Sequence, residues 1–226
     1  MVRRIESPSS INTYKQCPRK YYYCYIKRIP TKPSIHLVRG SVTHSVLENF
    51  FSQKMDNINE ENYESRLKNS IQELLVEEWQ KNKEKFDKLQ LTQEQLNFYF
   101  DETMMMVLNF ADHMNKKIRS HIDKGISFQK AFAKVTPLAE EKFISKERNV
   151  MGYIDAIEER DGKTLVMDYK TSKSDSMSDS YRLQLSIYAM MYFERFNKMP
   201  DKVGIFFLKH GERFLDVNEA MIKDAE

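Results

Sequence analysis

Between Ser41 and Lys124 the chain contains neither glycine nor proline. These are the residues that most often interrupt regular structure, so the stretch predicts helix throughout. Apolar spacing agrees. Val42, Val46, Leu47, Phe50 and Phe51 make one face, and Leu67, Ile71, Leu74, Leu75 and Trp79 make another. A long third helix is expected from about Thr92 to His121, opened by a capping box of Thr92 and Gln95. The run Met104-Met105-Met106 on that helix reads as core filling. After Pro137 the period shortens. Strands are expected over 141–147, 151–158, 163–171, 203–209 and 213–217, with a helix over 181–196 and a short last helix opening at Asn218 or Glu219. The pattern predicts an α+β (mixed α/β) fold, a helix-rich N-terminal half on a small mixed β-sheet. Residues 1–226 are read as one domain, with 52–135 as a helical insertion.

The 226 residues suffice for a well-buried core. No apolar run approaches the roughly 20 residues that a membrane span needs, and MVRRIESPSS lacks the apolar centre of a signal peptide. The only cysteines, Cys17 and Cys24, are too few for a disulfide framework or a four-thiolate site. The expected setting is the cytoplasm, with no membrane partner. The net charge of +3 hides an asymmetry, because residues 1–39 carry nine Lys and Arg against only Glu6. Tyr14, Tyr21, Tyr22, Tyr23 and Tyr25 are threaded through that basic stretch. Cations for phosphates beside aromatic faces for unpaired bases suit nucleic acid, single strands above all.

Chemistry concentrates in MGYIDAIEERDGKTLVMDYKTSK, residues 151–173. Asp161-Gly162 between two apolar runs is a two-residue hairpin signal, since a type I′ turn needs positive φ at both positions. If these two residues are the loop, Arg160 faces Lys163 and Asp155 faces Asp168. Facing carboxylates repel. A divalent cation between them removes the repulsion, and hard oxygen ligands suit Mg²⁺ or Mn²⁺. Strand alternation adds Lys170 to the face of Asp168 and sends Leu165, Met167 and Tyr169 to the opposite, core side. Asp, Asp and Lys over one patch fit metal-assisted phosphodiester hydrolysis. Lys170 is read as orienting or deprotonating the attacking water, or as stabilising transition-state charge.

GYID, DYKTSK and RLQLSIYA together resemble the PD-(D/E)XK nuclease superfamily, most closely the branch of RecB-type nuclease domains and CRISPR-associated Cas-four exonucleases. SPSSINTYKQCPRKYYY resembles that branch's N-terminal helix, and RGSVTHSVLENFF its Gly-x-x-x-His helix, here Gly40 and His44. Glu140 or Glu141 stands where a strand Glu often precedes GxID, and RLQLSIYAMMYF matches a Gln-x-x-x-Tyr helix through Gln184 and Tyr188. The resemblance implies a restriction-endonuclease-like core and a divalent-metal-dependent DNA nuclease, an exonuclease acting on single strands. His44, Asp155, Asp168 and the Tyr169 carbonyl are implied metal ligands. Lys170 is the implied catalytic lysine, with Gln184 and Tyr188 facing the site. Arg19, Lys20, Tyr21, Tyr22, Arg39 and Tyr188 are the implied nucleic-acid contacts. The setting implied is DNA repair, recombination or CRISPR adaptation near the nucleoid, with possible protein partners from such complexes. The alternative is a catalytically silent DNA-binding or docking module of the same fold. Many relatives hold an iron–sulfur cluster on four cysteines. Two cannot supply it, so none is expected unless more sequence follows, and Cys17 is read as a small buried residue.

Overall fold

A computed structural model of the chain describes residues 4–55 and 57–225, apart from the side chain of Glu140. The N-terminal segment begins with α1 (Pro8–Gln16) and α2 (Pro18–Tyr21), which runs into a π-helical turn at Tyr22–Ile26. Ser7 and Ser10 cap α1 reciprocally, and Pro8 sits at its first turn, where a missing N–H costs nothing. The helical layer comprises α3 (Ile35–Phe51), α4 (Tyr63–Lys81), α5 (Lys83–Asp87), α6 (Gln93–Ile122) and α7 (Phe128–Val135).

The stretch expected to be helical throughout is divided into separate helices, and asparagine does the work of the missing glycine. Asn59 Oδ1 accepts the N–H groups of Glu61 and Asn62, while Asn62 Oδ1 accepts that of Asn59. Asn57 takes a left-handed φ of 64°. Such side chains offer the backbone partners that compete with the helical ones. The long helix keeps its expected start, because the Thr92–Gln95 capping box is formed. Of the methionine run, Met106 is fully buried but Met105 is 61% exposed.

The sheet holds β1 (Leu138–Ser145), β2 (Val150–Arg160), β3 (Lys163–Lys170), β4 (Lys202–Phe207) and β5 (Gly211–Asp216), in that spatial order. All neighbours are antiparallel except β3 and β4, which are parallel and joined by α8 (Asp179–Phe196). A parallel pair needs such a crossover. A final α9 spans Glu219–Ala225. The hairpin turn has φ of 53° at Asp161 and 75° at Gly162, and Arg160 faces Lys163.

Both faces of the sheet are covered, which corrects the expectation of a single core side. Leu165, Met167 and Tyr169 pack with the helical layer, while Val166 packs with Leu185, Tyr188 and Met191 of α8. Asp168, on the α8 side, is therefore only 2% exposed. In β2 the alternation slips at Asp155. Ile154 and Ile157 both join the α8 cluster, and Ala156 joins the other. The β2–β3 ladder correspondingly ends with Ala156 opposite Met167, one step short of the two aspartates.

Candidate active site

Where the β2–β3 ladder stops, the Asp155 carboxylate continues it. Its Oδ2 accepts the Tyr169 N–H at 2.7 Å, and its Oδ1 lies 3.3 Å from Nδ1 of His44. His44 reaches this point from α3, whose Val42, Val46, Leu47 and Phe50 are buried and fix the rotation of that helix. One residue past Met167, Asp168 Oδ1 accepts a hydrogen bond from Gln184 Nε2 at 2.9 Å. Its Oδ2 stands 2.7 Å from the Lys170 ammonium, close enough for an ion pair but without an aligned hydrogen bond. Gln184 Nε2 also donates to the Tyr188 hydroxyl at 2.8 Å, one helical turn further along α8. The structure thus brings His44, Asp155, Asp168, Lys170, Gln184 and Tyr188 to one end of β3.

Electrostatics divides these groups into two pairs. Burial alone lowers the affinity of His44 for a proton, but the adjacent Asp155 carboxylate outweighs it and holds the imidazole above its ordinary value. Burial raises the Asp168 carboxyl, opposed by the Lys170 charge and reinforced by Asp155. Burial works against the Lys170 charge as well, yet Asp168 and Asp155 hold its ammonium above the ordinary lysine value. Lys170 is a cation in this arrangement.

A recess of about 10 Å³, room for one water or small ion, is lined by His44, Glu48, Asp155, Tyr169 and the apolar Leu47, Phe51 and Ala139. Imidazole and carboxylate beside a buried carboxylate oxygen lacking a hydrogen bond match the donor chemistry of a Mg²⁺ or Mn²⁺ site. The side chains are not drawn round one point, however. Among the described residues no three His, Cys, Asp or Glu side chains form a group that could hold a metal ion. Sequence reasoning missed Glu48, although its spacing of four from His44 on α3 was a usable signal.

The nucleic-acid contacts fare unevenly. Arg39 is 2% exposed and pairs with Glu102 of α6, so it is withdrawn from any phosphate. Tyr188 is 5% exposed within the α8 cluster, so its ring offers no stacking face. The Tyr21 hydroxyl donates to Glu6, and Glu6 holds the backbone of Asn149 and Met151, which ties α2 to the start of β2. Arg19, Lys20 and Tyr22 are free of that duty: Arg19 and Lys20 are exposed, and Tyr22 is 43% exposed. The side chain of Glu140 lies outside the described residues. Glu141 pairs with Arg195 of α8 at 2.9 Å. Cys17 is exposed, not buried, and its sulfur accepts the Lys20 N–H as the cap of α2. Among the described residues no helix is long and apolar enough to cross a membrane.

No curated protein matches the chain significantly. A crystal structure of a "putative exonuclease" from Eubacterium rectale is similar with a TM-score of 0.53 and 12% identity. The match covers 98% of this chain and 75% of that one. At this identity the likeness speaks for the fold. The family model of the PD-(D/E)XK nuclease superfamily matches residues 6–226. A match over nearly the whole chain, on a fold that gathers two aspartates and a lysine at one strand end, decides the family: the chain belongs to the PD-(D/E)XK nuclease superfamily.

Proposed function

We propose that this nuclease is a divalent-metal-dependent deoxyribonuclease, an exonuclease with a preference for single strands. The observation that carries the reading is the convergence of His44, Asp155, Asp168 and Lys170 at the end of β3. Asp155, Asp168, His44 and the Tyr169 carbonyl would hold Mg²⁺ or Mn²⁺, which supplies Lewis acidity and lowers the pKa of a bound water. The remaining work falls to the chain. Lys170, charged beside Asp168, favours a role in stabilising negative charge on the phosphate oxygens over one in taking a proton. Gln184 fixes the Asp168 carboxylate, and Tyr188 fixes Gln184. Arg19, Lys20 and Tyr22, with Tyr23 at 40% exposure, offer exposed cations and ring faces, the combination that tracks an unpaired strand. DNA repair, recombination or CRISPR adaptation in the cytoplasm, with protein partners from such complexes, is the setting that fits.

One observation favours a second reading. His44 and Lys170 each sit on a carboxylate that the metal would need, which fits a silent DNA-binding or docking module of the same fold. End-labelled single- and double-stranded DNA, incubated with Mg²⁺, Mn²⁺ or EDTA beside Lys170→Ala, separates the two. Metal-dependent cleavage lost in the variant is expected, with circular single strands spared because an exonuclease needs an end. Binding without cleavage under either metal would support the silent module, and cut circles would remove the exonuclease assignment.

A further inference from the structure

Just past the β3–β4 ladder, two hydrogen bonds close the carboxyl end of β3. Leu208 N–H donates to the Lys170 carbonyl at 3.0 Å, and Arg39 Nη2 donates to the Thr171 carbonyl at 3.4 Å. Both donors are held from α6. Asn109 Nδ2 donates to the Leu208 carbonyl at 3.1 Å. Glu102 accepts from Arg39 Nη1 and from Lys209 Nζ, bridging two cations. Glu102 and Asn109 are two helical turns apart, hence on one side of α6. The Arg39 guanidinium is almost fully buried and lies 5.6 Å from the centre of the Tyr99 ring.

A buried ion pair is weak evidence for stability, and its best-attested use is to fix one arrangement among several. Here the arrangement joins the two halves of the site. Arg39 sits on α3, the helix that carries His44, and it grips the residue that follows Lys170. The same contacts therefore set Lys170 and Asp168 relative to His44 and Asp155.

We propose that Glu102 and Asn109 are positioning residues, which act through Arg39 and Leu208 to lock the Lys170–Thr171 peptide against α3. The inference rests on the nuclease reading for its effect on rate but not for its effect on the backbone. Glu102→Gln and the milder Asn109→Ala test it, beside Glu212→Gln, which breaks a different charge cluster between α6 and the sheet, and Lys170→Ala. In both test variants the Leu208 amide should exchange with solvent about tenfold faster than in the unaltered protein. The kcat for DNA cleavage should fall about tenfold or more with KM within about twofold, since misplacement costs rate rather than binding. Glu212→Gln should lower the thermal midpoint and leave both readouts unchanged. Unchanged Leu208 exchange in both test variants overturns the proposal, as does an equal loss of kcat in Glu212→Gln. Should the protein cleave no DNA, or Lys170→Ala still cleave it, the nuclease reading fails while the exchange measurement still decides the brace.

Discussion

Asp168 is the most constrained side chain of the site, nearly sealed from solvent and shared between Gln184 and Lys170. Replacing Lys170 by alanine removes the cation 2.7 Å from its carboxylate, and cleavage should drop about 100-fold or more while DNA binding, followed by fluorescence anisotropy, changes little. Gln184→Ala should act differently. It leaves the chemistry in place but frees the Asp168 carboxylate, so the Mg²⁺ concentration for half-maximal activity should rise about 10- to 100-fold. A titration of rate against Mg²⁺ checks this, and an unchanged midpoint would separate Gln184 from metal binding. At this scale the sequence was legible wherever spacing encodes direction. The Asp-Gly turn set the register from Arg160–Lys163 to Ala156–Met167, which stops one step short of the two aspartates, and the Gln-x-x-x-Tyr interval set one helix face. Burial was not legible. A basic Arg39 and an aromatic Tyr188 look like surface groups in a string of letters, and only Glu102 and the strand residues Ile154 and Val166, all remote in sequence, draw them inside.

Among the elements, α6 ties α3 to the sheet. Its Phe110 is 2% exposed and meets the rings of Phe50 and Phe51 from α3 and of Tyr169 and Phe206 from the sheet. Phe110→Ala should cost about 3–5 kcal/mol of stability, read from denaturant unfolding. The β2–β3 turn is sensitive for another reason. Gly162 holds a φ of 75° with open space around it, so Gly162→Ala should cost about 1–2 kcal/mol through backbone strain alone. The same unfolding experiment should show no such loss for Gly40→Ala, judged on local space, since the nearest atom a new Cβ would meet there is 4.0 Å away. Element types and order were readable because their periods differ, and the start of α6 was readable from its cap. The breaks after α3 and α4 were not, because asparagine ends a helix only when its side chain finds the right backbone partner.

Taken whole, the molecule is a sheet clasped between two helical layers, and charge clusters pin one layer to it. In one of these, Glu212 of β5 meets Arg160, Lys117 and His113. Burial would raise its carboxyl, but His113, Arg160 and Lys117 together hold it well below the ordinary value of 4.5. A depressed carboxylate contributes stability that is complete above its unfolded-state value and is lost as pH falls below it. The unfolding midpoint should therefore decline between about pH 5 and pH 3, and Glu212→Gln should flatten that decline. Topology was the least legible level, since no local period tells β3 to pair in parallel with a strand beyond α8. That parallel pairing also sets a schedule. Asp155, Asp168 and Lys170 leave the ribosome well before Leu208 and Lys209, which close the strand end that bears them. A growing chain carries the proposed site groups for a time without the contacts that close their strand, and at ordinary translation speeds that interval is a few seconds. Under the proposed assignment, assembly of the site during synthesis therefore waits on the segment that follows β4.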